Sequence, residues 1–188
     1  KKQKKYSEAA EMFQKAIDLD NGYAPPIREM AEMWFMAKKY DKAQEFMDKY
    51  LAIMGNDKGA KMRSCIFQYA GEQYEQSIPC MENMLKDTSS VLLIRLLGYS
   101  YVKKTGPDAD KALMYLDRFF KEAPATMIIP SDYEMKAKAL ALKGQTDEAV
   151  VNFEKSMKLA SEDPTAEKTN ATYLVIADMY KEKKDYVN

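Results

Sequence analysis

The chain has 188 residues, of which 46% are apolar and 31% are charged, so its composition is that of a folded protein and not of a disordered one. Lys plus Arg and Asp plus Glu are equal at 29 each, which argues against nucleic acid or an anionic membrane surface as the main partner. No apolar run approaches the roughly 18 residues of a membrane span. The opening KKQKK is not followed by the apolar segment of a signal peptide.

A ten-residue segment near the start, KKYSEAAEMF, recurs 34 residues later as KKYDKAQEFM. Its tyrosine returns at the same interval in Tyr6, Tyr40 and Tyr74. Three residues after this position comes a small residue, and four further on a large apolar one. The small residues are Ala9, Ala43, Ser77, Ala112 and Ala149, and the large ones are Phe13, Met47, Met81, Leu116 and Phe153. Because i and i+4 share a helix face, the small residue would admit a neighbouring helix and the large one would fill the space beside it.

A different helix is predicted before each of these segments. Its apolar residues follow the spacing i, i+3, i+4, i+7, as in Ile27, Met30, Ala31 and Trp34, which is typical of a helix buried on one side. The small residue of this stripe recurs at Ala31, Cys65, Gly98, Ala137 and Ala177. The sequence therefore predicts pairs of helices, a first helix and a second helix, repeated along the chain.

The later intervals between repeats are longer, and the extra residues fall in segments rich in turn formers. These segments are GPDAD at 106–110, PATMIIP at 124–130 and SEDPTAEKT at 161–169, and we predict them to be loops. In the second of them, three apolar residues stand between two prolines. We expect these side chains to pack into the core between repeats, with an exposed apolar patch that contacts a partner as the alternative.

Two cysteines, Cys65 and Cys80, occur in the whole sequence. A disulfide framework is typical of shorter chains with more cysteines. We therefore expect both to be buried thiols that pack in helices.

These helix pairs resemble the tetratricopeptide repeat (TPR), a 34-residue pair of antiparallel helices with a Gly or Ala on the first helix and an Ala followed by a Phe on the second. The resemblance extends over essentially the whole chain. It implies an all-α fold, an α-solenoid of antiparallel helix pairs wound into a right-handed superhelix. Within a single array at 1–188, the predicted units are a half repeat at 1–22, complete repeats at about 24–54, 58–87, 90–122 and 131–160, and a half repeat at 165–188.

Both ends of the sequence divide a repeat. The last predicted first helix carries Tyr173, Ile176 and Tyr180, which do not form the polar cap that ends most solenoids. We therefore expect the chain to be a fragment of a longer protein, or its ends to pack on another copy. A start that is not methionine is consistent with processing or a fragment, and it leaves the compartment open.

Residue types that carry chemistry are scarce. The sequence has no histidine, which removes the commonest general base and metal ligand. Its seven glycines form no phosphate-binding loop. The carboxylates fall in loops and on polar helix faces, where solvated charge explains them. We expect no catalytic site, no metal site and no cofactor, and hence no enzyme.

The resemblance implies that first helices line a concave groove. Residues beside their buried stripes are the candidate partner-binding set: Arg28, Glu32, Phe35, Met62, Ile66, Tyr69, Arg95, Tyr99, Lys103 and Lys138. Aromatic residues and arginines commonly anchor protein interfaces, and Arg95 or Lys103 could bind a carboxylate. One TPR subgroup holds a chaperone's C-terminal carboxylate with Lys and Asn. Here the corresponding residues are Arg28 and Glu32, and the glutamate disfavours that function.

The sequence favours a protein-interaction scaffold that binds a segment or a helix of a partner protein in this groove. A structural module that self-associates through its end helices is one alternative. A receptor module for glycans within a larger bacterial protein is another, with Tyr69 and Tyr99 as candidate stacking residues.

Overall fold

The computed structural model describes residues 2–162 and 171–182, with side chains described at 8–161 and 172–181. These residues form α-helices and one short 3-10 turn, and no strand occurs among them. The helices are α1 (Lys2–Leu19), α2 (Ala24–Met36), α3 (Tyr40–Met54), α4 (Lys58–Ala70), α5 (Tyr74–Leu85), α6 (Val91–Lys103), α7 (Ala109–Glu122), α8 (Pro130–Leu142), α9 (Thr146–Glu162) and α10 (Ala171–Glu182). The predicted all-α fold is confirmed.

Side chains at helix starts explain several of these boundaries. Asp57, Ser90 and Asp108 each precede a helix, and each accepts a hydrogen bond from a backbone N–H of its first turn. Such caps satisfy N–H groups that have no partner within the helix. The first helices of the predicted repeats are α2, α4, α6, α8 and α10, and the second helices are α1, α3, α5, α7 and α9.

The chain divides into two compact units between Met84 and Leu85. In the first unit, α1 packs on α2, α2 on α3, and α3 on α4. Its core contains Ala31, Ala43 and Met47, all with no exposed surface. The predicted small and large positions therefore lie where the helices meet.

In the second unit, α6 packs on α7 and α8 on α9, with α7 against α8 and α9 against α10. The same positions are buried here: Ala112, Leu116, Ala137 and Ala149 have no exposed surface, and Phe153 is 2% exposed. The exception is Ala177 on α10, which is exposed.

The expectation for the two cysteines is wrong. Cys65 on α4 and Cys80 on α5 form a disulfide, with their Cα atoms 5.5 Å apart. The number of cysteines carries no information about which residues meet in space. Here the fold brings together one cysteine on α4 and one on α5 that are 15 positions apart in the sequence.

The segment 124–130 is not a simple loop. It contains a 3-10 turn over Ala125–Met127, and the N–H of Met127 donates to the carbonyl of Pro124 at 2.9 Å. Met127 and Ile129 are 37% and 44% exposed, so the expectation that they pack into the core is wrong. The turn is held through its backbone, because the Arg95 guanidinium donates to the carbonyl of Met127. The predicted loop at 161–169 begins with the last turn of α9, and its residues 163–169 lie outside the described residues.

Candidate partner-binding surface

The candidate residues on α2 lie at the edge of the first unit's core. Arg28 is exposed and lies 3.4 Å from the carboxylate of Glu29. Phe35 is half-buried and stacks on Phe67 of α4, with ring centroids 4.6 Å apart. Phe35 therefore holds α2 and α4 together and also presents part of its ring to solvent.

The α4 residue that contacts both Glu32 and Phe35 is Arg63, which the sequence analysis missed. Its Nε donates to Oε1 of Glu32 at 2.8 Å, and a second N–H donates to Oε2. Its guanidinium carbon lies 5.4 Å from the ring of Phe35 and 5.3 Å from that of Phe67. The signal in the sequence that could have found this pair is an acidic residue on one first helix and a basic residue 31 positions later on the next first helix.

The other α4 candidates, Met62, Ile66 and Tyr69, are half-buried. The ring of Tyr69 meets that of Tyr74 edge-on, with centroids 5.8 Å apart. Burial raises the pKa of Tyr69, and the neighbouring Tyr74 and Glu72 add to that rise. Tyr69 therefore stays a neutral phenol, with part of its ring available to a partner.

In the second unit, a carboxylate of the same chain takes the place predicted for a partner. Asp132 has no exposed surface, and its Oδ1 lies 2.8 Å from Nε of Arg95. The Tyr99 hydroxyl donates to Oδ1 at 2.8 Å, and the N–H of Ile129 donates to Oδ2 at 2.8 Å. This cluster fixes the start of α8 against α6.

Two sequence-based assignments change as a result. Arg95 does bind a carboxylate, but it is that of Asp132, and the Arg95 side chain is only 13% exposed. Tyr99 is 7% exposed, so the prediction of a surface position for it is wrong. A residue just off the buried stripe of α6 is covered once α8 packs beside it, and this also removes Tyr99 as a residue on which a sugar could stack.

Lys103 and Lys138 are exposed, as expected. The Nζ of Lys138 lies 2.6 Å from Glu134, one helical turn away. Nearby, Lys136 pairs with Asp117 of α7 at 2.6 Å. Both lysines of α8 are therefore paired with carboxylates of this chain, while Lys138 remains exposed.

Charge is distributed unequally between first and second helices. In α2, α4, α6 and α8, eight residues are basic (Arg28, Lys58, Lys61, Arg63, Arg95, Lys103, Lys136, Lys138) and four are acidic (Glu29, Glu32, Asp132, Glu134). In α3, α5, α7 and α9, seven residues are basic (Lys42, Lys49, Lys111, Arg118, Lys121, Lys155, Lys158) and twelve are acidic (Asp41, Glu45, Asp48, Glu75, Glu82, Asp110, Asp117, Glu122, Asp147, Glu148, Glu154, Glu162). The net charge of zero conceals this separation.

The part of the chain that the structure describes contains no group of three or more His, Cys, Asp or Glu side chains that could hold a metal ion. Across the same residues, no helix combines the length and the apolar character required to cross a bilayer.

Comparison with known proteins gives one family match. Residues 2–64 match the sequence model of the family described as Tetratricopeptide repeat. A search of curated protein sequences found no match.

Several solved structures share the fold. YrrB, described as a TPR protein with an unusual peptide-binding site, is 22% identical with a TM-score of 0.66, over 95% of this chain and 87% of YrrB. PilW, a type IV pilus biogenesis factor, is 19% identical with a TM-score of 0.70, over 98% of this chain and 81% of PilW. The C-terminal part of a TPR repeat-containing protein from Cytophaga hutchinsonii is 18% identical with a TM-score of 0.68, over 98% and 69% of the two chains. The resemblance to the tetratricopeptide repeat family is confirmed: residues 2–64 match its sequence model, and the chain has the TPR solenoid fold.

Proposed function

We propose that this chain is a non-catalytic scaffold whose first helices bind an extended segment or a helix of a partner protein, and that this segment is acidic. The observation that carries the proposal is that basic residues outnumber acidic ones by eight to four on α2, α4, α6 and α8, whereas acidic residues outnumber basic ones by twelve to seven on α3, α5, α7 and α9. Complementary charge accelerates association and selects among partners.

Apolar contacts would supply the rest of the affinity. Phe35, Met62, Ile66 and Tyr69 are half-buried, so each has a face that a partner could cover. Arg63 lies among them with 41% of its side chain exposed, already oriented by Glu32. Arginines and aromatic residues held in place before binding lose little conformational entropy when the partner arrives. YrrB, which shares the fold, is described as having a peptide-binding site, which makes a peptide a reasonable first ligand to test.

The test is selection from a displayed library of random peptides, followed by affinity measurement at several salt concentrations. We expect the chain to enrich peptides that combine Asp or Glu with apolar residues, and their affinity to fall as salt screens the charges. A triple variant, Arg28→Glu, Lys58→Glu and Lys138→Glu, should weaken binding at least tenfold.

The matched control reverses three exposed cations on second helices, Lys42→Glu, Lys121→Glu and Lys155→Glu, and so changes the net charge equally. We expect it to bind the selected peptides within about twofold of the unmodified chain. Equal weakening in the two variants would overturn the proposed surface. Enrichment of neutral or basic peptides would overturn the proposed partner chemistry.

Self-association is a second candidate, favoured by α10. Its Tyr173, Leu174 and Val175 are 63%, 66% and 41% exposed. A second copy could cover them. If copies associate through α10, the molecular mass measured by sedimentation should rise with protein concentration. The variant Leu174→Glu should keep the mass of a monomer at every concentration. The control Val151→Glu changes a side chain on α9 that is 45% exposed, and it should leave any association unchanged.

A further inference from the structure

The disulfide lies at a distinctive place in the repeat formed by α4 and α5. Cys65 has no exposed surface and occupies the small-residue position filled by Ala31, Gly98 and Ala137 in other first helices. At the equivalent Gly98, an added Cβ would lie 2.7 Å from Leu116 of the second helix, so the two helices of that repeat come close together here. In the repeat of α4 and α5, a covalent bond lies at this same position.

The helix on the other side of the bond is weaker than its counterparts. Pro79 lies inside α5, next to Cys80. Proline has no N–H to donate within a helix, and its ring crowds the carbonyl four residues earlier. In addition, α5 has 12 residues, whereas α3, α7 and α9 have 15, 14 and 17. Fewer helical hydrogen bonds are therefore available to keep α5 folded than in its counterparts.

We propose that the Cys65–Cys80 disulfide is a redox-sensitive clasp that holds α5 on α4. When the bond is closed, the pair is stable; when it is reduced, α5 opens locally while the other repeats stay folded. Closure converts two thiols into one disulfide with loss of two protons and two electrons. A disulfide-bearing oxidoreductase or small-molecule disulfide accepts them by thiol–disulfide exchange, and its own S–S bond is reduced to two thiols. A thiol reductant reverses the reaction.

Opening would also change the surroundings of Tyr69, a residue of the candidate partner-binding surface. Tyr69 near the end of α4 packs against Tyr74 at the start of α5, so departure of α5 removes the ring that Tyr69 contacts. The clasp does not depend on the proposed partner binding, because its primary effect is on the stability of one helix.

The test is hydrogen exchange of the purified chain, followed segment by segment by mass spectrometry, with and without a thiol reductant. A disulfide that closes a loop of about 15 residues contributes a stability that corresponds to about a hundredfold in the opening equilibrium. We therefore expect reductant to accelerate amide exchange in α5 by about that factor and to leave α2 and α7 unchanged.

The double variant Cys65→Ala/Cys80→Ala is the matched control. Alanine fits the position of Cys65, since Ala31 and Ala137 fill its equivalents. In this variant α5 should exchange rapidly whether or not reductant is present. The clasp would be overturned if a maleimide labelled either cysteine before reduction, or if reductant left exchange in α5 unchanged. Equal acceleration in every helix would also overturn it, because the bond would then stabilise the whole fold and not one helix pair.

Discussion

A Cβ atom on Gly98 would lie 2.7 Å from Cγ of Leu116, so α6 and α7 come together more closely than any other residue at position 98 would permit. The backbone nitrogen of Leu116 would lie 3.3 Å from the same Cβ, which leaves the leucine little room to move aside. At the equivalent positions of other first helices, Ala31, Cys65 and Ala137 carry a Cβ. The close packing of α6 against α7 therefore requires glycine at position 98.

We expect Gly98→Ala to destabilise the fold by about 1–3 kcal/mol, the usual range for overpacking a core. Leu116 has no exposed surface, and Leu116→Ala alone should cost about 2–5 kcal/mol through the cavity that it leaves. Urea unfolding of the two single variants and of the double variant measures their coupling. The double variant should lose less stability than the sum of the single ones, because the shorter side chain makes room for the added methyl. Strict additivity would argue against the clash.

The buried carboxylate of Asp132 gives a second prediction. Asp132→Asn keeps the size of the side chain but leaves Arg95, whose side chain is 13% exposed, without its counter-charge. Breaking such a pair typically costs about 3–5 kcal/mol, measurable by chemical denaturation. The control Glu134→Gln removes one partner of the more exposed pair with Lys138 and should cost less than about 1 kcal/mol. Similar losses in the two variants would contradict the structural role of the buried cluster.

Asp57 and Tyr50 should make stability depend on pH. Hydrogen bonds from the N–H of Ala60 and the hydroxyl of Tyr50 lower the pKa of Asp57 below its ordinary 3.8. The stability that the carboxylate contributes is therefore complete above that pH and is lost as pH falls through the lowered value. The bond to Asp57 and burial raise the pKa of Tyr50 above 10.0, so its contribution is complete below pH 10 and is lost as pH rises beyond it.

The variant Asp57→Asn tests the acidic side, because asparagine can still cap α4 but does not ionise. It should be less stable than the unmodified chain at pH 7, and the difference should shrink as pH falls below about 4. Urea unfolding at both ends of this range measures it. Tyr50→Phe removes the donor and should lower the acid sensitivity of the remaining Asp57. A stability difference that does not change with pH would contradict the role of this carboxylate.

Arg63 should stabilise the first unit by packing as well as by charge. Arg63→Ala removes contact with the rings of Phe35 and Phe67, and we expect a loss of about 1–2 kcal/mol. Arg63→Lys keeps the charge but loses the two parallel hydrogen bonds to Glu32 and the planar stacking, so it should recover only part of this loss. Thermal unfolding compares the variants. Full recovery with lysine would mean that charge alone matters.

Much of the architecture could be predicted from periodicity. The predicted repeat at about 24–54 contains α2 and α3, which begin at Ala24 and end at Met54. Of the small and large positions that recur along the sequence, those within the array, such as Ala43 and Met47, are fully buried, whereas Ala9 and Phe13 on α1 are half-buried and Ala177 on α10 is exposed. The prediction succeeded because an apolar stripe at helical spacing has to be buried. In a repeat protein, each repeat carries a similar stripe, and the stripes of neighbouring repeats pack against each other.

The candidate partner-binding surface was predicted less well. A side chain beside the apolar stripe of a first helix is buried or exposed according to which other helices pack next to it. Arg95 and Tyr99 occupy the sequence positions expected of surface residues on α6. Both are instead covered because they bond to Asp132, more than thirty residues later. The pairing of Arg63 with Glu32 likewise requires two first helices side by side.

By itself, the sequence determined the helices, their pairing and the positions where they approach, since these follow from local periodicity and residue size. The tertiary structure alone decided which polar side chains neutralise one another and which cysteines bond. A hydrogen bond, an ion pair or a disulfide forms only when two groups meet within a few ångströms, and the distance between them depends on how the whole backbone folds, not on the spacing of residues within one helix.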